Sequence, residues 1–415
     1  MNDVLSFVRE NDVKFVRLFF CDIFGFQKNI SIMVDELETA FKNGVSFDAH
    51  MIRGFRDITQ SDLFLFPDPS TLAVLPWRPG TGRVVRFYCD IKTPDKKEFE
   101  HDTRFILKRA AEKSRNMGYD CKIGAECEFY LFKNDEKGEP SNATLDKGSY
   151  LDTSPLDKGE DIRRDICLTL EEMGIKPECS HHEQGPGQNE IDFKFDDPLA
   201  SADNIQTFKT VVKAISSRNG LSASFLPKPL PDAPGNGMHI NLSLYQNGKN
   251  IFKNVNEGHS RTAESFIAGV LEKTREITLF LNPLANSYER FGKFEAPKFV
   301  SWSHQNRSQL VRIPAAFGEN VRMELRSPDP SLNPYLAFAL IISAGLEGIE
   351  KNTPLPLPVD EDLYTADSKV TKALLQLPDS LQSAVDIAHN SSFIKNVIGE
   401  TLLKKYIELI KIEGV

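Results

Sequence analysis

The segment GAECEFYLF (residues 124–132) places two acidic residues in an otherwise apolar stretch that is typical of a β-strand. Side chains alternate along a strand, so Glu126 and Glu128 are expected to share one face and Cys127 and Phe129 the other. The acidic face is explained either by a bound cation or by ordinary exposure to solvent. The rest of the chain must decide between these two readings.

The bulk properties indicate a soluble globular protein. A length of 415 residues predicts two to three domains, and 40% hydrophobic with 26% charged residues is ordinary for such proteins. The net charge of −9 argues against nucleic acid or an anionic membrane as a partner. No apolar run approaches the ~20 residues of a membrane span, and the first residues lack a signal peptide. Six cysteines without a CxxC pair favour a reducing, cytoplasmic location.

Strands alternate with helices without a strict βαβ rhythm, which predicts an α+β fold. Short strands bounded by Pro or Gly dominate residues 1 to about 95, and the polar stretch KTPDKKEFEHD (92–102) is the best linker candidate. A strand is expected at Lys122–Phe132. The strongest helix patterns are Asn204–Ser217, Arg261–Leu281 and Asn333–Lys351.

One further segment carries acids and histidines, and another carries a histidine alone. In SHHEQGPGQNEIDF (180–193), Glu183 and Glu190 flank a Gly-Pro-Gly turn that can bring neighbouring strands together. His181 and His182 are either ligands or structural groups. In GNGMHINLS (235–243), His239 follows glycines that allow a ligand to approach the backbone.

Arginines accompany the third acidic segment. RMELRSPDP (322–330) alternates Arg322, Glu324 and Arg326 along one strand face, and Arg307 and Arg312 lie just upstream. Guanidinium groups bind phosphate and carboxylate in a bidentate manner, so an anionic substrate is one explanation. Weak surface ion pairs are the other.

The acidic, histidine-containing and arginine-rich segments are best explained together. Buried carboxylates must be paired or bound to a cation, and oxygen-rich sites suit Mg²⁺ or Mn²⁺. Arginines near such a site suit phosphate. Five carboxylates, one imidazole and an arginine cluster therefore predict a two-metal site for phosphoryl transfer from ATP.

The same motifs carry a family resemblance. CDIFG (21–25), SHHE, GPGQNEIDF, GMH, WSHQNRS (302–308), RSPDP and NPYLA occur in the order found in bacterial type I glutamine synthetases, and the chain resembles that family over nearly its whole length. The resemblance implies an N-terminal β-grasp domain (1–97) and a catalytic domain (98–415). In the latter, an antiparallel sheet with surrounding helices would form a funnel between neighbouring subunits.

The resemblance also implies roles for individual residues. One metal would be held by Glu128, Glu183 and Glu190, and the other by Glu126, His239 and Glu324. The substrate amino acid would be bound by Gly235, Arg290 and Arg326. ATP and the transferring phosphate would be bound by Asn241, Ser243, Arg307, Arg312 and Arg322. Asp48 would bind and deprotonate ammonium, and Glu295 would be the flap acid that shields the intermediate.

The implied reaction is ATP-dependent formation of glutamine from glutamate and ammonia through γ-glutamyl phosphate, with two Mg²⁺ or Mn²⁺ ions per site. An alternative is a γ-glutamyl ligase that uses a polyamine, methylamine or ethanolamine. It is suggested by FDAHM (47–51) in place of the family's FDGSS, by Pro234 in place of an Asn, and by a shorter flap. A non-catalytic relative is disfavoured because every metal-ligand position, Asp48 and Glu295 are present.

The resemblance finally implies a homo-oligomer. Family members are dodecamers of two stacked hexamers, in which a C-terminal tail embraces the opposite ring. The sequence ends at TLLKKYIELIKIEGV (401–415), where the family usually continues. We therefore expect either a hexameric ring or a dodecamer.

Overall fold

Two β-sheets, one in each part of the chain, organise the computed structural model, which describes residues 2–78, 80–253 and 259–413. The first sheet has the order β2-β1-β6-β4-β3, with β5 paired to β6. Its central pair, β1 and β6, is parallel, and its other pairs are antiparallel. Its strands and the two helices near it are β1 (Val13–Cys21), β2 (Gln27–Met33), β3 (Val45–Asp48), β4 (Asp62–Pro67), β5 (Ala73–Val74), β6 (Arg83–Lys92), α1 (Asn2–Glu10) and α2 (Leu37–Asn43).

The second sheet follows the order β14-β15-β16-β12-β7-β10-β9, with β8 and β11 also paired to β7 and β13 to β12. Its strands are β7 (Asp120–Asn134), β8 (Pro140–Thr144), β9 (Pro177–His182), β10 (Gln188–Phe193), β11 (Leu221–Ser224), β12 (Met238–Gln246), β13 (Lys249–Asn250), β14 (Trp302–His304), β15 (Val311–Ile313) and β16 (Met323–Leu325). The expectation of an antiparallel sheet needs one correction. β14 and β15 are parallel, because the chain loops back after His304 and lays Val311 beside Trp302.

Helices cover this second sheet. They are α3 (Thr103–Asn116), α4 (Glu160–Glu172), α5 (Pro198–Arg218), α6 (Arg261–Leu281), α7 (Pro334–Lys351), α8 (Ser368–Lys372), α9 (Leu381–Asn390), α10 (Ser392–Ile398) and α11 (Glu400–Glu413). Within the described part of the chain, no helix has the length and apolarity that crossing a membrane requires.

Helices α6 and α7 pack closely at the centre of the core. A Cβ on Gly348 would lie 2.1 Å from the carbonyl oxygen of Ser265, and one on Gly269 would lie 2.3 Å from that of Ala344. Contacts this short exclude any side chain, so both positions require glycine. The close approach fixes α7, whose N-terminus leads directly from the RSPDP segment.

The predicted linker is not a free connection. Phe99, His101 and Asp102 are buried, and the Nδ1 of His101 bonds to the carbonyl of Gly54 at 2.9 Å. Asp102 caps α3 and also accepts a hydrogen bond from the Ile91 N–H at 3.0 Å. The polar Asp102 satisfies backbone donors of both β6 and α3 and so attaches this helix to the first sheet.

Other predicted boundaries agree with the structure to within a few residues. The helix at Arg261–Leu281 has the predicted bounds, since Ser260 caps it and the chain leaves helical geometry at Asn282. Helix α5 begins at Pro198 rather than Asn204, because proline is favoured in the first turn.

Candidate active site

Strand β7 lies at the centre of the candidate site because both of its neighbours carry functional side chains. In the β7–β12 pair, Glu126 lies opposite His239. In the β7–β10 pair, Glu128 lies opposite Glu190, and Asp192 lies opposite Glu126. Cys127 and Phe129 are fully buried on the other face, as the alternation in the sequence predicts. The register of three strands therefore gathers acids from separate parts of the chain.

The first cluster consists of Glu126, His239 and Glu324, with one ligand atom from each within 4.8 Å of the others. The Nδ1 of His239 is 3.1 Å from Glu126 Oε2 and 3.6 Å from Glu324 Oε1. Glu324 joins the group because β16 pairs with β12 and places it opposite Asn241.

Positive groups compensate the charge of this first cluster. Glu324 is fully buried and accepts hydrogen bonds from Arg312 and Arg326. Burial by itself would raise the pKa of Glu126, but hydrogen bonds from His239 and Asn241 outweigh it and lower that pKa to about 2. Glu126 is thereby kept ionised at neutral pH, as a metal ligand must be.

The second cluster lies beside the β9–β10 hairpin. Glu183 and Glu190 approach each other with His181, again with ligand atoms within 4.8 Å, and the Nε2 of His181 is 3.0 Å from Glu183 Oε1. Burial, followed by repulsion from Glu183, raises the pKa of Glu128 to about 7. Burial, Asp192 and Glu128 likewise raise the pKa of Glu190. These carboxylates have an excess of negative charge that a cation would relieve.

His182 is structural and holds the hairpin turn. It is buried, with Nε2 2.9 Å from Asp146 Oδ1 and Nδ1 2.6 Å from the carbonyl oxygen of Glu183. Asp146 also accepts from the backbone N–H of Gly187 at 2.9 Å. Both ring nitrogens face acceptors, so this imidazole fixes the backbone that carries Glu183 and leaves no nitrogen for a ligand.

Glu128 is held by its own donors. The N–H of Gly237 donates to Glu128 Oε2 at 2.8 Å, and the side-chain amide of Gln188 donates to the same oxygen at 2.9 Å. That amide also reaches the carbonyl of Gly235 at 3.1 Å. Gly235 must be glycine, because a Cβ there would lie 2.4 Å from the Pro227 carbonyl oxygen.

The arginines differ in burial. Arg326 and Arg290 are buried, and Arg290 donates to the carbonyl of Ser327 at 3.0 Å. Arg326 contacts Glu295 Oε2 at 3.4 Å and also bonds to Glu324, so it links the first cluster to the predicted flap acid. Arg307 lies more in solvent and is 3.8 Å from the same oxygen. Glu295 and the preceding Phe294 both have left-handed backbone, with φ of +61° and +47°, an arrangement that clusters at functional sites.

Two cavities of about 450 Å³ each open on this site. They share Glu126 and Arg322 at their boundary. Fourteen of the 16 predicted site residues line one or both cavities, and Glu324 lies buried behind them. The first cavity is lined by Glu126, Glu128, Glu183, Glu190, Gly235, His239, Arg290, Glu295, Arg307, Arg312, Arg322 and Arg326. The second is lined by Glu126, Asn241, Ser243 and Arg322.

Comparison with known families agrees with this architecture. Residues 100–414 match the model of the glutamine synthetase catalytic domain, and residues 12–94 match that of the glutamine synthetase β-grasp domain. The chain belongs to the glutamine synthetase family. The resemblance and the fold class inferred from the sequence are both confirmed.

Glutamine synthetases from several organisms are similar to this chain over almost its full length. The enzyme of Clostridium saccharobutylicum is 45% identical, covering 98% of this chain and 93% of the relative. The enzyme of Methanosarcina mazei is 46% identical, with 98% and 92% covered. That of Staphylococcus aureus is 43% identical, with 99% and 94% covered.

Solved structures show the same fold. A GmaS–ADP complex superposes with a TM-score of 0.91 at 29% identity, covering 100% of this chain and 96% of that one. Glutamine synthetase of Plasmodium falciparum has a TM-score of 0.88 at 26% identity, with 99% and 95% covered.

One predicted residue of the glutamine synthetase site stands apart. Asp48 ends β3 on the N-terminal sheet, is exposed, and lines neither cavity of its own chain. Its carboxylate accepts the N–H of His50 at 3.0 Å. Instead it borders a shallow groove with Phe20, Gln27 and Ile52.

Sequence reasoning missed Asp192 and Gln188 as parts of the glutamine synthetase site. Asp192 is largely buried, lines both cavities, and has a pKa raised to about 6 by burial and Glu126. It lies two residues after Glu190 on β10, so the alternation that linked Glu126 with Glu128 also pointed to it. Gln188 carried no such signal, because only the fold shows that it supports Glu128.

Proposed function

We propose that this chain catalyses ATP-dependent formation of glutamine from glutamate and ammonia. The observation that carries the proposal is one cavity lined by acids of both clusters and by five arginines: Arg290, Arg307, Arg312, Arg322 and Arg326. The names of the relatives, at 43–46% identity over 98–99% of the chain, support the same activity. They do not favour the alternative of a larger amine.

The donor sets fit two divalent cations. Each cluster offers carboxylate oxygens and an imidazole nitrogen within 4.8 Å of one another. Burial, and then repulsion from neighbouring carboxylates, raises the pKa values of Glu128 and Glu190, and a cation would offset both effects. We assign one ion to Glu126, His239 and Glu324. We assign the other to Glu183 and Glu190 together with Glu128, which lies opposite Glu190 in the β7–β10 pair. Mg²⁺ or Mn²⁺ suits such oxygen-rich sites and would supply charge neutralisation for the phosphates of ATP.

The two cavities suggest how the substrates lie. ATP occupies the second cavity, which Asn241 and Ser243 line, and its phosphates are directed past Arg322 into the first cavity. Glutamate occupies the first cavity, where Arg290 and Arg326 bind its carboxylates. Arg307 and Arg312 then stabilise the charge on the transferring phosphoryl group.

The first chemical step joins glutamate to phosphate. The side-chain carboxylate of glutamate attacks the γ-phosphorus in line, the bond to the bridging oxygen breaks, and ADP leaves. The product is γ-glutamyl phosphate, a reactive acyl donor. Glu295, on its left-handed flap segment beside Arg326 and Arg307, keeps water away from this intermediate.

The second step forms the amide. Ammonium loses a proton to a carboxylate, the ammonia nitrogen attacks the acyl carbon, and phosphate leaves. Asp48 is assigned this proton-accepting role. Because it lies on the N-terminal sheet outside its own chain's cavities, it must reach the active site of a neighbouring subunit. We accordingly propose a homo-oligomer, either a hexameric ring or a dodecamer, in which active sites form between subunits. Each chain would consist of a β-grasp domain (1–97) and a catalytic domain (98–415).

An amine panel tests the proposal. ADP release and amide product are measured with glutamate and ATP in the presence of ammonium, methylamine, ethanolamine or spermidine. We expect ammonium to give glutamine and the larger amines to react far more slowly. Preference for a larger amine would establish the alternative γ-glutamyl ligase, and no turnover by folded protein would refute catalysis. A Glu126→Gln variant serves as the inactive control.

A further inference from the structure

An exposed aromatic side chain stands at the mouth of the second cavity. Phe317 has 90% of its side-chain surface exposed, the largest value among the exposed large hydrophobic residues of the described chain. It nevertheless lines the cavity that holds Asn241 and Ser243. Single exposed apolar side chains are common on protein surfaces, so it is the position of Phe317 in the lining of a cavity that indicates a function.

The loop that carries Phe317 is firmly anchored. It continues into a short 3₁₀ turn at Gly318–Asn320. In that turn, Glu319 accepts the backbone N–H of Asn250 at 2.7 Å and pairs with Lys253 at 2.7 Å. The hydroxyl of Tyr245 donates to the Glu319 carbonyl at 2.9 Å. The ring therefore projects from a loop fixed to β12 and β13.

A second aromatic ring borders the same cavity. Phe195 is about half exposed, and its ring packs against Tyr245 at a centroid distance of 6.3 Å. Glu126, Asp192, Ala315 and Arg322 line both this cavity and the first one. Phe317 and Phe195 line the second cavity alone. The part of the second cavity that adjoins the first is therefore charged, whereas the aromatic rings belong to the part that the first cavity does not share.

This polarity matches a nucleotide. Phosphates belong at the arginine end, and a flat base gains stacking energy against aromatic rings. We propose that Phe317 is a base-contacting residue that sets affinity for the adenine end of ATP. The inference rests on the proposed function, since it requires that the second cavity binds ATP. It adds a residue for which neither the motifs nor the acidic clusters gave a role.

Calorimetry with two ligands tests the inference. ADP and tripolyphosphate are titrated, with Mg²⁺, into the wild-type chain and into Phe317→Ala, Phe317→Trp and Leu357→Ala. Leu357 is a matched control, because it is 88% exposed and lines neither cavity. We expect Phe317→Ala to weaken ADP binding about 5- to 10-fold and to leave tripolyphosphate unchanged. Phe317→Trp and Leu357→Ala should stay within about two-fold of wild type.

Two outcomes overturn the inference while the proposed function stands. One is that Phe317→Ala binds ADP with wild-type affinity. Mass photometry then shows whether Phe317 is a subunit contact, which a smaller assembly would indicate, or has no role in either binding or assembly. The other is equal weakening of ADP and tripolyphosphate, which would show a general disturbance of the site. If the wild-type chain binds neither ligand, the proposed function fails and this inference fails with it.

Discussion

Glu190 lies directly opposite Glu128 in the β7–β10 pair, so a buried carboxylate and a partly buried one face each other across neighbouring strands. Like charges placed this way destabilise a sheet unless something neutralises them. The protein retains this arrangement at the centre of its core sheet. A site that sacrifices stability in this way is expected to be stabilised by its ligand.

Glu190→Gln tests that expectation. Removing one of the two charges should raise the melting temperature of the protein in EDTA, because the repulsion disappears. The same change should reduce the stabilisation by Mg²⁺ and lower the turnover number by about 10²-fold or more. Thermal melts with and without Mg²⁺, together with the ADP-release assay, measure all three effects. Glu172→Gln on the exposed end of α4 is the control, and a lower melting temperature of Glu190→Gln in EDTA would refute the account.

Glu295→Ala tests the shielding role of the flap. Without this acid beside Arg326 and Arg307, water should reach the acyl phosphate and hydrolyse it. We expect the ratio of ADP to glutamine to rise about two-fold or more while ADP release continues. The ratio is measured by parallel quantification of both products. Glu289→Ala, an exposed acid on the same segment, should keep a ratio near one. Unchanged stoichiometry in Glu295→Ala would exclude the shielding role.

Asp102 predicts a pH dependence of stability. Burial and then Asp90 raise the pKa of Asp102 to about 7. Because the folded-state pKa exceeds the unfolded value, an ionised Asp102 destabilises the folded protein at high pH. This destabilisation fades as the pH falls below about 7. Asp102→Asn removes this titration. Its melting temperature relative to wild type should therefore be higher at pH 8 than at pH 5 by ~2 °C or more.

The comparison needs a control that also caps a helix. Asp367, which caps α8 and is exposed, serves this purpose through Asp367→Asn. For Asp367→Asn the difference from wild type should be the same at both pH values. Equal differences for Asp102→Asn at pH 5 and pH 8 would contradict the effect of burial on its carboxyl.

Asp48 gives a test of shared active sites. Asp48→Asn and Glu126→Gln should each be nearly inactive alone. When the two variants are co-expressed at equal levels, random assembly should restore about a quarter of the sites, those with Asp48 from one subunit and Glu126 from its neighbour. Specific activity of tandem-purified mixed oligomers measures this. Mixed oligomers no more active than either parent would show that Asp48 acts within its own chain or not at all.

The sequence was sufficient for the features that depend on local pattern. Alternation placed Glu126 and Glu128 on one face, and a Ser cap with a clear apolar period gave the exact bounds of Arg261–Leu281. Composition did not indicate that the polar stretch 92–102 also contains buried groups such as the helix cap Asp102.

Local sequence patterns could not predict contacts between distant segments. Nothing near Gln188 indicates that its amide supports Glu128, because the partner is 60 residues away and only the β7–β10 register brings them together. The location of Asp48 was equally hidden, since its distance from the cavities follows from how the N-terminal sheet is placed. Motif resemblance supplied the roles of such residues, whereas the physical reasons came from the fold.

The central claim is that separated acids and one histidine bind two cations beside a nucleotide. Anomalous diffraction from crystals grown with Mn²⁺ and ADP tests it most directly. We predict two peaks, one among Glu126, His239 and Glu324 and one among Glu128, Glu183 and Glu190. Absence of both peaks, or peaks only outside these two groups of residues, would contradict it.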